Sequence, residues 1–139
     1  MKPFMTKEAQ FELRLKPLWF GLAYALLLVV AILSLTPAVV NIGGSDKLGH
    51  FLAYATLSMI FSVIIRQRIS LLWILLSLIL FGILMEYLQG LSGYRYADPK
   101  DALANSIGVI FGLLFHFSPL RIFLLKVDAY LHRLWLLLR

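Results

Sequence analysis

Apolar residues run almost unbroken from Leu18 to Leu35, from about Leu48 to Ile65, from about Ile69 to Gln89 and from about Ala102 to Ser118. The first run alone has eighteen residues without a charge. That is enough for roughly 27 Å of helix at about 1.5 Å per residue, close to one hydrocarbon thickness. The spacing therefore predicts four membrane-spanning helices. Pro37 ends the first, and Ser45, after two glycines, is placed to cap the second. Arg66 and Arg68 close the second run, Gly90 and Gly93 mark the end of the third, and Pro99 suits the start of the fourth. A cleaved signal peptide is the rival reading of the first run, but the run is long and no small-x-small cleavage site follows before Pro37.

The two ends of the chain have a different pattern. On a helical wheel of residues 119–139, Leu120, Phe123, Leu124, Val127, Tyr130, Leu131, Leu134, Trp135 and Leu138 share one half. Arg121, Lys126, Asp128, His132, Arg133 and Arg139 share the other, too many polar groups for a span, so the segment is expected to be an amphipathic helix on the membrane surface. Residues 1–17 mix charged residues with Phe4, Phe11, Leu13 and Leu15, and fit an interfacial lead-in. The expected organisation is a cytoplasmic N-terminal segment (1–17), a four-span domain (18–118) and a surface helix (119–139). The fold class is an all-α integral membrane protein, a four-transmembrane-helix bundle with a C-terminal amphipathic interfacial helix.

Composition agrees with this pattern. Of 139 residues 61% are hydrophobic and 14% charged, too apolar for a water-soluble domain that must cover its own surface. The net charge of +6 does not indicate nucleic acid, because the basic residues lie at the edges of apolar runs and form no stripe on a soluble fold. They set topology instead. Ten Lys and Arg fall on the side of the two termini and three, Lys47, Arg95 and Lys100, on the other, which places both termini inside. With no cysteine, disulfides, Cys-ligated zinc and thiol catalysis are excluded.

One stretch is unusually polar for its depth. Glu86 and Gln89 end the third run on a shared helix face, Arg95 and Asp98 follow in a short loop, and Asp101, Asn105, Gly108 and Gly112 recur on one face of the fourth helix. On the second helix Asp46, His50, Tyr54, Ser58 and Ser62 repeat every four residues, a stripe that must face other helices. The predicted topology brings the Asp46 to His50 segment and the Glu86 to Asn105 segment to the same outer side. Ionisable groups at the end of a span are costly unless they meet partners, which makes this the default place for function.

The pattern of Asp46, Lys47, His50 and Tyr54, then Glu86 and Gln89, then Arg95, Asp98, Asp101, Asn105, Gly108 and Gly112 resembles the VanZ-like family of small bacterial membrane proteins. The resemblance covers about Ser45 to Gly112. It implies a multi-pass protein of the bacterial inner membrane and cell envelope. The family's namesake is associated with resistance to the glycopeptide teicoplanin.

The same residues carry the candidate chemistry. Glu86 and His50 are the candidate catalytic pair, as acid and base. Asp46, Lys47, His50, Tyr54, Glu86, Gln89, Arg95, Asp98, Asp101 and Asn105 are candidate ligand contacts. Arg95 could bind an anionic headgroup or close the loop as an ion pair with Asp98 or Glu86. His50, Glu86, Asp98 and Asp101 are compatible in type with zinc or magnesium, but no pair has a diagnostic metal spacing, so no metal and no cofactor is expected. There is no P-loop, no dinucleotide fingerprint and no serine nucleophile with a base at known spacing, which leaves enzymatic activity open.

Two functions fit. In one, an outer-leaflet site binds or modifies an amphiphilic or lipid-linked envelope molecule. In the other, the cluster only locks a non-enzymatic scaffold whose basic surface helix meets a partner or anionic lipid. Membrane lipids are the expected partners, with no nucleic acid, and oligomeric state is left open.

Overall fold

A computed structural model describes residues 13–36, 46–65, 67–93 and 96–138. Among these there is no strand. The helices are α1 (Lys16–Leu35), α2 (Asp46–Ile64), α3 (Arg68–Leu91), α4 (Pro99–Leu114) and α5 (Pro119–Leu137), with a 3-10 turn at Phe115–Phe117. Three of them, α1, α2 and α3 from Ile69, are long and apolar enough to cross a membrane. Pro99–Phe117 and Pro119–Leu137 pass the same test only as a pair, bent by 68°. The expected cap at Ser45, most of the 1–17 segment, and Tyr94 and Arg95 lie outside the described residues.

The helix ends follow local chemistry. Pro99 has no N–H to leave unsatisfied in the first turn, and the Asp98 side chain accepts from Lys100 N at 2.9 Å, so α4 begins three residues before Ala102. Ser118 repeats the device for α5, accepting from Leu120 N at 3.2 Å with Pro119 in the first turn. The 3-10 turn and Pro119 together make the bend between α4 and α5.

The most extensive helix pair is α2 with α4. A Cβ at Gly108 would run into the carbonyl oxygen of Phe51, and one at Gly112 into Ser58 Oγ and the carbonyl oxygen of Ala55. The two glycines thus let the backbones approach at a distance no other residue permits. Ser58 and Ser62, which face this seam, donate to the Ala55 and Met59 carbonyls of their own helix, so their hydroxyls are satisfied without water. Tyr54, Leu57, Val109, Leu113, Leu71, Leu78 and Val30 form the main core. The outward faces of α1 and α3 remain apolar and exposed, including Leu18, Leu22, Leu28, Ile32, Trp73, Leu80 and Ile83.

The end of the bundle that holds the start of α1 is closed by α5. Asp128, fully buried, accepts from the backbone N–H groups of Arg14 and Leu15 and from Trp19 Nε1. Leu13, Val63 and Leu125 pack beside it, with Trp19 and Phe115 around them. Arg121 donates to the Ile65 carbonyl at 2.9 Å, and His116 Nδ1 lies 3.1 Å from the Ser62 carbonyl, so two side chains meet the last carbonyls of α2. The wheel had put Asp128 on the polar half expected to face headgroups. It turns inward instead, because the N-terminal edge of α1 offers three donors that an isolated helix cannot reveal. The apolar half of α5, with Leu120, Phe123, Tyr130 and Trp135, is exposed.

Candidate functional site

At the opposite end, the C-termini of α1 and α3 meet the N-termini of α2 and α4, and the polar positions of the sequence converge there. Asp46 and His50 are one turn apart on α2, with His50 Nε2 3.8 Å from Asp46 Oδ1. From α4, Asp101 Oδ2 lies 3.7 Å from the same nitrogen. His50 Nδ1 lies 3.1 Å from Asn105 Oδ1 and 3.7 Å from Glu86 Oε1 on α3. One imidazole is therefore ringed by side chains from three helices.

Lys47 bridges the two acids of the loop and α4, at 2.9 Å from Asp98 Oδ2 and 2.7 Å from Asp101 Oδ1. The Lys47 ammonium beside it and the Lys100 N–H hold the Asp98 carboxyl below the usual carboxylate range. Lys47, from α2, is thus a cation that engages Asp98; the expected pairing of Arg95 with Asp98 or Glu86 lies outside the described residues. Both Asp98 oxygens are used, one by Lys47 and one by the helix cap. The Asp98 N–H points toward Glu86 Oε2 at 3.4 Å, tying the loop to the end of α3.

Gln89 has another role. Its Nε2 donates to the Ser34 carbonyl at 2.8 Å, which fastens the end of α1 to α3. Asn105 and Gln89 are 1% and 2% exposed, and each meets a partner on another helix, as a buried amide must. Gly82 makes room for this arrangement, since a Cβ there would come within 3.2 Å of both Tyr54 and Asn105. Tyr54 lies deeper on the α2 stripe, buried, with its hydroxyl unbonded among the described residues.

Beside the cluster an open cleft of about 290 Å³ runs between α1 and α2. Leu26, Val29, Val30 and Leu33 of α1 and Leu52 and Ala53 of α2 line its length, and Ser34, Asp46 and His50 line its polar end. The α1 wall is almost unmarked in the sequence. Its residues are ordinary aliphatics, and only Ser34, a polar residue near the end of an apolar run, offered a signal.

Every candidate contact but Arg95, which lies outside the described residues, is thus at one end of the bundle. Of the residues compatible in type with a metal, His50 and Asp101 lie together with Asp46, the three presenting ligand atoms within 4.8 Å of one another. No curated protein and no solved structure matches the chain. A family model described as VanZ/LLP1 matches residues 4–125, which extends the resemblance beyond Ser45 to Gly112 to include α1 and the first turns of α5. This helical membrane protein belongs to the VanZ-like family.

Proposed function

We propose that this is a four-span bacterial inner-membrane protein, both termini cytoplasmic, that binds an amphiphilic or lipid-linked envelope molecule at the outer leaflet. The polar part of the ligand sits at Asp46 and His50, and its chain lies in the cleft between α1 and α2. The cleft carries this reading, because aliphatic walls that lead to a histidine and a carboxylate match a molecule with one apolar and one polar end. Glu86 and Asn105 hold the imidazole from the other side.

Orientation rests on charge. Arg14, Arg121, Lys126 and Arg133 belong to the α5 end of the bundle, and Lys47 and Lys100 to the cluster end, in line with the ten-to-three distribution along the chain. α5 then lies in the inner interface, with Leu120, Phe123 and Trp135 toward acyl chains and Lys126 and Arg133 toward headgroups. A part in resistance to teicoplanin-type glycopeptides belongs to the same reading.

The test is organic extraction of the gently purified protein followed by mass spectrometry of the extract. One amphiphile enriched over the bulk membrane lipids is the expected result. A lipid profile equal to that of the membrane contradicts ligand binding and favours the scaffold reading. The scaffold reading draws on the pairing of Gln89 with Ser34, His50 with Asn105, and Lys47 with two carboxylates, all within the chain.

A further inference from the structure

We infer, resting on the cleft reading above, that the molecule held between α1 and α2 is a cationic amphiphile, an alkylammonium in class and not a phosphate, whose ammonium meets Asp46. The polar end of the cleft is lined by Ser34, Asp46 and His50, with no Lys or Arg among the described lining residues. Asp46 is the carboxylate an incoming headgroup reaches first, since its side chain is 37% exposed while those of Glu86 and Asp101 are 7% and 8% exposed. The Lys47 ammonium is already shared between Asp98 and Asp101. A proton on His50 would give no positive charge to spare either, because its ring faces Asp46, Asp101 and Glu86 at 3.8, 3.7 and 3.7 Å. An anionic head therefore meets a carboxylate without a free cation, whatever the state of the imidazole.

The helix ends supply a second, independent preference of the same sign. Ser34 belongs to the last turn of α1, where the helix dipole is negative, and neither α1 nor α3 has a basic residue in its last turn. The Leu33 and Ser34 carbonyls receive Thr36 Oγ1 and Gln89 Nε2, neutral donors that satisfy them without cancelling their charge. The two helix N-termini at this end, which would favour an anion, carry their own acids: Asp46 in the first turn of α2, and Asp98 and Asp101 at the start of α4.

The sequence gives the same balance. In the stretches 36–50 and 86–105, four carboxylates (Asp46, Glu86, Asp98 and Asp101) stand against three basic residues (Lys47, Arg95 and Lys100), and no charge lies between Thr36 and Ser45. Below this mouth the walls are aliphatic, with Val29, Leu33 and Leu52 among them, so an alkyl chain fills the cleft while its charged end stays at the half-exposed rim.

The test is native mass spectrometry of the full chain in nanodiscs of phosphatidylcholine, titrated in turn with decylamine, decyl phosphate and decanol, each corrected for uptake by empty discs. The three share one chain, and an alkylamine is charged at pH 7 as a lysine side chain is. Decylamine should bind saturably and about fivefold or more tightly than decyl phosphate, with decanol between them, because one rim carboxylate attracts the first and repels the second. Asp46→Asn should at least halve that ratio, and Val29→Trp, which fills the cleft, should abolish binding of all three. The ratio on the parent needs no variant to be read. Decyl phosphate bound as tightly as decylamine, or a ratio unmoved by Asp46→Asn, overturns the cationic assignment, while decanol binding that Val29→Trp removes would still uphold the cleft. No saturable binding of any probe overturns both.

Discussion

Trp19 Nε1 donates to Asp128 Oδ1 at 2.9 Å, joining the first helix of the bundle to the last across 109 residues of sequence. The same carboxylate accepts from two backbone N–H groups at the start of α1. Leaving a buried donor unsatisfied costs about 1–3 kcal/mol. Asp128→Ala should therefore lower stability by roughly 3 kcal/mol, and Trp19→Phe, which removes one donor, by about 1 kcal/mol. Denaturant unfolding in detergent measures both. An Asp128→Ala protein as stable as the parent would refute the role given to this contact.

The seam between α2 and α4 makes a sharper contrast. At Gly112 an added methyl group meets the Ala55 backbone and the Ser58 side chain, whereas at Gly21 it meets nothing within 4 Å. Gly112→Ala should destabilise by about 1–3 kcal/mol or more, as overpacking does. Gly21→Ala should be neutral or stabilising by up to about 1 kcal/mol, the gain of alanine over glycine inside a helix. Thermal unfolding of the two variants side by side checks the pair.

A pH dependence follows from Asp98. Its carboxyl is held below the ordinary value of 3.8 by Lys47 and the Lys100 N–H. A depressed carboxyl stabilises the fold above its unfolded value, and the contribution disappears as pH falls through the lower folded value. Asp98→Asn preserves the helix cap but removes the charge. The parent should be the more stable protein at pH 7, with the difference closing below about pH 4. A gap that widens on acidification would show the sign to be wrong.

Topology can be read with single cysteines, since the chain has none of its own. An impermeant thiol reagent applied to intact cells should label Gly93→Cys and leave Arg68→Cys untouched, as the charge distribution requires. The reverse pattern would invert the protein.

Much of this architecture was legible in the chain because lipid tolerates few exceptions to apolar surface. The stripe from Asp46 to Ser62 and the glycines of α4 marked the faces that meet, and the structure buries Tyr54, Ser58 and Ser62 of the first and Gly108 and Gly112 of the second. Pro99 marked the start of α4, and the helix begins there with Asp98 as its cap, three residues before the apolar run opens at Ala102. Lys47 as the partner of Asp98 and Asp101 was not foreseen, since the pairing spans more than fifty residues and Arg95 was nearer in sequence. Asp128 was assigned to the wrong side for a related reason: periodicity gives the faces of a helix but not the donors another helix brings to them. The α1 wall of the cleft has no polar signature, and only packing reveals it.

The ligand proposed for this protein is an amphiphile held in the cleft between α1 and α2. Native mass spectrometry of the extracted protein tests it with two tryptophans: Val29→Trp, which fills the cleft, and Leu80→Trp, on a bare outer face of α3. A bound mass should appear on the parent and on Leu80→Trp and be lost from Val29→Trp, while all three keep similar unfolding temperatures. A bound mass that persists equally on Val29→Trp, or no bound mass on any of the three, would contradict it.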